Sequence, residues 1–295
     1  MRRKTKQVLS RVGGIVLLAV LSILINHYIT VTEKETFQDT PQPKGIMEVH
    51  FIDVGQGDAI LVEVDDSTML IDAGENNKGN LVKEYLENHG ITKLDYVIGT
   101  HPHSDHIGGL DTILDAFEVQ KILLPNVVHT TKTFEEVLDT VERQNLKITA
   151  PQVGDHYYLG TASFTILGPS SDSYEELNNY SIAVKITFGD TSFLFAGDAE
   201  ALSEREMLQT GLDLRADVLK LSHHGSAYSS CEEFLDAVSP TYAVISVGKD
   251  NEYGHPHPET LQAVAVHNIK LYRTDEQGSI VFSSDGQTIS VNTQD

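Results

Sequence analysis

The chain has 295 residues, of which 40% are hydrophobic and 22% are charged, as is usual for a globular protein of one large or two small domains. Its single cysteine excludes a disulfide framework, and its formal net charge of −22 disfavours tight nucleic-acid binding through the protein surface alone. A nuclease is not excluded, because divalent cations in a site reverse the sign of the field there.

The N-terminal segment is predicted to be a membrane anchor. Five basic residues among the first eleven precede an almost wholly apolar run at 12–28. This run is close to the roughly 20 residues that span a bilayer, and its basic flank is expected to stay in the cytoplasm. A cleaved signal peptide is the alternative, but no small-residue cleavage site follows the run. We therefore expect residues 1–32 to form a cytoplasmic flank and a single transmembrane helix.

Strand and helix signals alternate through the rest of the chain. Residues 33–45 are predicted to be a polar linker, and residues 46–295 to form one domain outside the cytoplasm, at the cell membrane. The predicted strands include 47–54, 58–64, 68–72, 94–99, 121–124, 162–167, 181–188 and 191–196, and the predicted helices include 80–89 and 258–267. This alternation indicates a layered α/β protein.

Three imidazoles and a carboxylate are concentrated in the segment His101-Pro102-His103-Ser104-Asp105-His106. A short apolar strand precedes it and Gly108-Gly109 follows it, so the cluster lies at the carboxyl end of a strand, where α/β proteins commonly carry their chemistry. Imidazole and carboxylate suit zinc, manganese or iron, and four such donors suit two metal ions better than one. A solvated histidine-rich loop is the alternative, which the flanking strand and glycines disfavour.

Three later strand ends carry further candidates. Gly197-Asp198 ends an apolar strand, where a carboxylate is placed to bridge two cations. His223-His224 follows the next strand, and Gly254-His255-Pro256-His257 lies in the loop after a third. Seven of the 13 histidines lie in these loops and the first one, whereas structural histidines would be scattered. For the last loop, a rigid proline-locked turn without a role in the site is an equal alternative.

Together these motifs resemble the metallo-β-lactamase superfamily of binuclear metal hydrolases. Within it, the chain is similar to the hydrolase domain of the ComEC competence-channel family, on three segments: Asp53-Val54-Gly55-Gln56-Gly57-Asp58-Ala59, Leu70-Ile71-Asp72-Ala73-Gly74 and Ser222-His223-His224-Gly225-Ser226. The resemblance covers about residues 46 to 293. It implies a four-layer αββα sandwich with a two-metal site along one sheet edge.

The resemblance also implies ligands for two divalent ions, zinc or manganese. The expected ligands are His101 and His103 for one ion, Asp105, His106 and His224 for the other, and Asp198 for both. His224 is preferred to His223 because a related phosphorylcholine esterase uses the second histidine of a similar pair. The superfamily's separate third histidine has no match, and Asn179 is the best substitute.

The expected mechanism is hydrolysis by a hydroxide that bridges the two metal ions. Asp105 is expected to orient this nucleophile, and His223 or His255 to protonate the leaving group. Gln56 and Asp58 either support the ligands or are turn residues. The residues expected to contact substrate are Asn179, Ser222, Gly225, Ser226 and His257.

The expected function is that of an extracellular phosphodiesterase or nuclease. Its expected partners are a phosphodiester substrate, with DNA among the candidates, and the cytoplasmic membrane, and no protein partner is predicted. A hydrolase of a smaller ester (phosphorylcholine, a lactam or a thioester) is the alternative. A metal-binding module without turnover is a third interpretation, which the full set of ligand candidates disfavours.

Overall fold

The structure, a computed structural model, describes residues 45–293. The predicted anchor and all but the last residue of the predicted linker lie outside the described residues. Within 45–293, no helix combines the length and the apolar character that crossing a membrane requires.

The predicted strands and helices are present, with bounds that differ by a few residues. The strands are β1 (Met47–Phe51), β2 (Ile60–Val64), β3 (Ser67–Ile71), β4 (Lys93–Ile98), β5 (Glu118–Leu123), β6 (Ile148–Thr149), β7 (His156–Leu159), β8 (Ala162–Gly168), β9 (Ala183–Phe188), β10 (Thr191–Phe195), β11 (Val218–Lys220), β12 (Tyr242–Ile245), β13 (Lys270–Arg273), β14 (Ile280–Ser284) and β15 (Ile289–Thr293). The helices among the described residues are α1 (Gly79–Asn88), α2 (Ser104–Ile107), α3 (Leu110–Ala116), α4 (Lys132–Arg143), α5 (Ala201–Gln209), α6 (Glu232–Val238), α7 (Pro258–Val266) and α8 (Thr274–Gln277). Two 3₁₀ turns lie at Leu177–Tyr180 and Ser222–Gly225.

The strands form two sheets. The first contains the strands of the N-terminal half together with the last hairpin, and the second contains the other strands of the C-terminal half. Their spatial orders are β15-β14-β1-β2-β3-β4-β5-β6 and β13-β12-β11-β10-β9-β8-β7. Strands β3 to β6 run parallel in the first sheet, and β10 to β13 run parallel in the second. Parallel strands need crossover connections, and their carboxyl ends meet at one edge of each sheet. The loops after β4, β10 and β11 leave from such edges.

Three apolar clusters define four layers. One lies between the sheets and contains Phe51, Phe164 and Phe193. A second packs α1, α3 and α4 onto the outer face of the first sheet, and a third packs α5, α6 and α7 onto the outer face of the second. The predicted αββα sandwich is therefore confirmed.

Helix α4 illustrates how the sequence specifies these layers. Its buried residues Phe134, Val137 and Val141 recur at helical spacing, so a single face of the helix is apolar and packs on the sheet. The helix begins after Thr131, whose hydroxyl accepts a hydrogen bond from the Phe134 N–H at 3.4 Å.

Candidate metal centre

The loop after β4 brings four candidate ligands to one place because it turns directly into α2. Asp105 and His106 lie in the first turn of this short helix, and His101 and His103 lie in the segment before it. The turn is tight: a Cβ at Gly108 would lie 2.3 Å from the Ser104 carbonyl oxygen. A larger residue after the motif would therefore displace the helix that holds the ligands.

Four donor side chains converge at the end of this loop. Asp105, His106, Asp198 and His224 each offer a ligand atom, and these atoms all lie within 4.8 Å of one another. The Oδ2 atom of Asp198 is 3.2 Å from His106 Nε2 and 3.4 Å from His224 Nε2. His224 Nε2 also lies 3.2 Å from Asp105 Oδ2. Two imidazoles and two carboxylates at these separations form a donor set suited to a divalent metal ion.

A second pair of donors lies next to this group. His101 Nε2 is 3.0 Å from His103 Nδ1, and it is 3.9 Å from Asp198 Oδ2. One carboxylate oxygen of Asp198 thus lies within 4 Å of donors from both predicted ligand groups. This position is the one that a bridging carboxylate requires.

The adjacent histidines after β11 point to different places because the backbone turns sharply there. His223, His224 and Gly225 have φ angles of 52°, 53° and 82°, in the left-handed region that costs free energy for residues other than glycine. Gly225 also packs tightly, since a Cβ there would lie 2.7 Å from Pro256 Cβ. As a result, His224 is buried in the four-donor group, whereas His223 stands at its edge with Nε2 3.9 Å from Asp198 Oδ2.

Hydrogen bonds behind the ligands fix the orientation of the imidazoles. His106 Nδ1 lies 2.8 Å from Asp72 Oδ2, and Asp72 in turn accepts hydrogen bonds from the Thr100 hydroxyl and N–H at 2.7 and 2.8 Å. His224 Nδ1 lies 2.9 Å from the Ser246 carbonyl oxygen. With Nδ1–H as the donor in both rings, the neutral form of each ring presents the lone pair of Nε2 to the centre, as a metal ligand must.

A buried lysine that the sequence interpretation missed lies beneath the centre. Lys220, at the end of β11, is fully buried and forms an ion pair with Asp58. Its ammonium group also donates to the Gly197 carbonyl at 3.2 Å and lies 3.8 Å from Asp198 Oδ1. Because a buried charge is costly without partners, these contacts fix Lys220 and Asp58 relative to the Asp198 carboxylate. The sequence signal for Lys220 was a charged residue inside the apolar run 218–221.

The electrostatics of the centre favour a cation. Burial opposes ionisation of Asp198, yet His106 and then His224 hold the pKa of its carboxyl well below the usual value. Burial likewise disfavours charge on His224, but Asp198 and Asp105 raise its pKa to about 9. The pKa of His106 is also raised well above its usual value, by Asp198, Asp105 and Asp72 acting against burial. The carboxylates therefore hold protons on both imidazoles, and metal binding would release them.

Two buried polar atoms test whether a metal ion fits. Among the residues that the structure describes, neither His106 Nε2 nor Asp198 Oδ1 has a hydrogen-bond partner. A buried polar atom without a partner is costly, and a coordinated cation removes that cost. The donor types, their separations and these two atoms together fit divalent metal ions.

A cavity of about 240 Å³ opens onto the centre. Its lining residues are Gln56, Glu75, His103, Ser104, Asp105, Asn178, Asp198, His223, His224, Tyr253 and His255. Within the described part of the chain, no lysine or arginine lines this cavity. A larger cavity of about 480 Å³ lies beside Lys185, Asp213 and Arg215, but its lining includes no histidine within 45–293, and its lysine already pairs with Asp213 at 3.0 Å.

Asn179, the residue predicted to replace the missing third histidine, does not line the cavity. The Asn179 side-chain oxygen accepts hydrogen bonds from the backbone N–H groups of Glu200 at 3.2 Å and Ser203 at 3.4 Å, at the start of α5. Its neighbour Asn178 lines the cavity instead, with Nδ2 3.5 Å from the ring nitrogens of His223 and 3.1 Å from Glu200 Oε1. The Asn179 amide also contacts Glu200, at 3.5 Å from Oε2, so the two asparagines differ in that Asn178 lines the cavity and Asn179 does not.

The other predicted substrate contacts also lie behind the cavity wall. Ser222 and Ser226 are buried, and neither lines the cavity. His257 Nδ1 accepts a hydrogen bond from the Ala227 N–H at 2.9 Å, and the His257 N–H donates to the Gly225 carbonyl at 2.9 Å. His257 therefore supports the left-handed turn, and the role of these residues in binding substrate stays a prediction.

His255 reaches the cavity, but its charge state differs from the predicted one. Burial, followed by the neighbouring His223 and His224, lowers its pKa to about 4. Burial also lowers the pKa of His223. Both imidazoles are therefore mostly neutral near pH 7, which disfavours the predicted donation of a proton from an imidazolium.

The geometry agrees with comparisons to known proteins. A family model described as the metallo-beta-lactamase superfamily matches residues 52–249. The chain belongs to this superfamily. The predicted membership is thus confirmed, and both the superfamily and the ligand cluster indicate divalent metal ions.

The relatives confirm the resemblance to ComEC-type hydrolase domains. ComE operon protein 3 of Bacillus subtilis is 32% identical over 253 residues, which cover 80% of this chain and 33% of that protein. Recombination protein 2 of Haemophilus influenzae is 30% identical over 243 residues, covering 80% and 29%. Competence protein ComA of Neisseria gonorrhoeae is 31% identical over 242 residues, covering 81% and 33%. The chain spans about a third of the length of these relatives.

Solved structures share the fold at low sequence identity. The metallo-beta-lactamase fold protein YhfI from Bacillus subtilis superposes with a TM-score of 0.56 at 16% identity, covering 82% of this chain and all of that one. CmlA, a diiron beta-hydroxylase from Streptomyces venezuelae, superposes with a TM-score of 0.51 at 15% identity, covering 79% and 53%. At these identities the likeness establishes the fold alone.

Proposed function

We propose that the chain is a metal-dependent phosphodiesterase, and specifically a nuclease. The observation that carries this proposal is the convergence of Asp105, His106, Asp198 and His224 on one point beside an open cavity. The names of the relatives, which refer to competence and recombination, support a nucleic acid as the substrate. Because the chain spans only a third of those proteins, the substrate is part of the proposal.

In this proposal, the centre would hold two divalent ions, zinc or manganese. His101 and His103 would hold one ion, and Asp198 would contribute to both. The remaining ligands, all for the second ion, would be Asp105, His106 and His224. The diiron description of CmlA supports a two-metal centre on this fold. When bound, the ions polarise a phosphoryl oxygen and lower the pKa of water.

The cavity residues have separate proposed roles. Asp105 orients the attacking water, since its carboxylate remains ionised: burial opposes the charge, but His106 and His224 hold its pKa well below the usual value. His223, kept neutral by burial, donates a hydrogen bond from a ring N–H to the leaving oxygen. Asn178, which lies 3.5 Å from both ring nitrogens of His223, holds that ring in place.

A hydrolase of a smaller ester is the second candidate, and one observation favours it. The cavity holds about 240 Å³, and among the described residues no lysine or arginine lines it. A polyanion must then be attracted by the metal ions alone, whereas a small neutral or zwitterionic ester needs no basic path. Phosphorylcholine esters, lactams and thioesters are the members of this class.

The proposed location is the outer surface of the cytoplasmic membrane. Its support is the apolar run 12–28 behind a basic flank. External protease applied to wall-stripped cells should digest the domain and leave a membrane stub. Protection from the protease, or a mature protein that begins near residue 30 in the medium, would count against it.

A substrate panel separates the two candidates. The purified full chain would be assayed in detergent with single-stranded DNA, RNA, bis-p-nitrophenyl phosphate, p-nitrophenyl phosphorylcholine and a chromogenic lactam. Each substrate would be tested with zinc and with manganese after treatment with a chelator. Metal-dependent cleavage of DNA supports the proposal. Turnover of phosphorylcholine or lactam without DNA cleavage would replace it with the second candidate.

A further inference from the structure

A second cluster of metal-ligating side chains lies on strands β1 and β2. Met47, Val49 and Phe51 of β1 point into the core between the sheets, so Glu48 and His50 point to the opposite face. Glu63 of β2 lies on that same face. The ligand atoms of Glu48, His50 and Glu63 lie within 4.8 Å of one another.

The strand register makes this cluster costly without a cation. Glu48 and Glu63 are directly opposite each other in the antiparallel ladder. Like charges at directly opposite positions destabilise a sheet. Half of Glu48 and three quarters of Glu63 are shielded from solvent, with side-chain exposures of 45% and 24%, so water only partly screens the repulsion. A positive charge between them would reverse the sign of this contribution.

His50 directs an unpartnered nitrogen at the two carboxylates. Its side chain is only 3% exposed, and Nε2 lies 3.3 Å from Glu63 Oε1 and 3.9 Å from Glu48 Oε2. Within residues 45–293, this buried Nε2 has no partner in hydrogen-bond geometry. A buried ring nitrogen without a partner is costly, and coordination of a metal ion removes that cost.

Neighbouring groups hold these side chains in place. His50 Nδ1 lies 3.0 Å from the Tyr85 hydroxyl, and the rings of Tyr85 and His89 pack edge-on against the His50 ring. With Nδ1–H donating to the phenol oxygen, Nε2 carries the lone pair, which is the tautomer of a metal ligand. Ser283 donates to Glu48 Oε1 at 3.0 Å, which leaves Oε2 of Glu48 for the cluster. The arrangement is thus preformed on three strands and a helix.

We propose that Glu48, His50 and Glu63 form a second divalent-cation site, separate from the candidate metal centre. One imidazole and two carboxylates suit a borderline cation of the zinc and manganese class, with water completing the coordination. The site joins β1, β2 and α1, so its occupation stabilises the folded chain rather than assisting hydrolysis. The proposal does not depend on the proposed function.

Metal counting with zinc alone tests the site. The full chain would be dialysed against buffered zinc, and the bound zinc per chain measured by elemental analysis. Glu63→Gln keeps the size of the side chain and should bind one zinc ion fewer than the wild type, with an affinity for that ion at least about tenfold lower. Glu84→Gln, at an exposed position of α1, is the matched control and should lose none.

Three further measurements decide the interpretation. Glu48→Gln and His50→Gln should lose the same ion as Glu63→Gln, and the rise in Tm caused by zinc should shrink in all three but not in Glu84→Gln. If His50→Gln does not fold, the half-exposed Glu48 position decides. Equal zinc content in Glu63→Gln and Glu84→Gln would overturn the proposal. The proposal would also be overturned if the three variants bound zinc as the wild type does but changed the pH dependence of unfolding. His50 would then be a protonated ion-pair partner of the two glutamates.

Discussion

The two turns that build the candidate metal centre, the loop after β4 and the turn after β11, differ in how their sequences specify their geometry. After β4, the predicted ligands from His101 to His106 all lie at the centre, and a helical turn that begins within the motif holds Asp105 and His106. After β11, His224 enters the centre, His223 stands at its edge, and Ser222 and Ser226 turn into the protein. Motif spacing indicates geometry where the backbone is regular, and it fails where consecutive residues adopt left-handed conformations.

Asp198 lies between the two turns, and its removal should have the largest effect. Asp198→Ala should release both metal ions and reduce kcat/KM far more than the roughly 10–100-fold expected for contacts behind the ligands, because its Oδ2 faces both groups. His101→Ala is the comparison, and it should release only one ion. Metal content and steady-state kinetics measured on the same preparations check this. Equal metal loss in the two variants would contradict the bridging position.

The lysine beneath the centre should have the next largest effect, on stability. Lys220→Met leaves the Asp58 carboxylate buried without its partner, so the free energy of unfolding should fall by about 3–5 kcal/mol. Lys220→Met combined with Asp58→Asn should recover part of this loss, because no uncompensated charge remains. Urea unfolding of both variants provides the measurement. A single variant as stable as the wild type would show that the ion pair does not stabilise the fold.

The adjacent histidines of the second turn should separate metal binding from turnover. His224→Ala removes a member of the four-donor group and should weaken metal affinity by more than about tenfold. His223→Ala should leave the metal content unchanged and lower kcat on the order of 10²-fold, as expected for the loss of one hydrogen-bond donor to developing charge. Metal titration and kinetics on each variant distinguish these outcomes. The reverse pattern would assign the ligand to His223.

The contrast between the turns also explains how much of the molecule could be predicted. The strands were predictable because their apolar runs are continuous, and the four layers followed from the resemblance. The ligand types were predictable because imidazole and carboxylate are rare in such density. Lys220 was missed because its partner Asp58 belongs to the other half of the chain, and no local spacing joins them.

Other misses have the same physical origin. Asn178 and Asn179 are adjacent in a 3₁₀ turn, and of the two it is Asn178 that lines the cavity. The pairing of Glu48 with Glu63 depends on the register of β1 and β2, which alternation along a single strand does not specify. Long-range register and irregular turns therefore limit what the sequence predicts.

A buried glutamate beside the second turn should make stability depend on pH. Glu204 accepts hydrogen bonds from the N–H groups of Ser230 and Cys231 at 2.7 and 2.8 Å, yet burial dominates and raises its pKa to about 7. In the unfolded chain this carboxyl releases its proton near pH 4.5. The protonated Glu204 therefore contributes fully to the free energy of unfolding below that pH, and this contribution is lost as pH rises to about 7, by at most about 3 kcal/mol.

Comparison with Glu204→Gln isolates this contribution. Urea unfolding would be measured at pH 5 and pH 8 with EDTA present, so that the histidines of the centre contribute equally to both proteins. The stability of the wild type relative to the variant should fall between the two pH values. A constant difference would mean that the two backbone N–H groups keep Glu204 ionised throughout.

The smallest expected effect is that of salt on kcat/KM. It tests whether either turn provides a local basic surface that attracts a polyanion to the site. Five of the 21 basic residues precede residue 12, so the net charge of the remainder is −27, and DNA must approach against this charge. Salt screens such repulsion over roughly 10 Å at 0.1 M, so kcat/KM on DNA should rise a few fold as moderate monovalent salt is added. A small zwitterionic ester, the control, should show little change. A steep fall on DNA, the usual behaviour of basic nucleases, would mean that a local basic path outweighs the net charge.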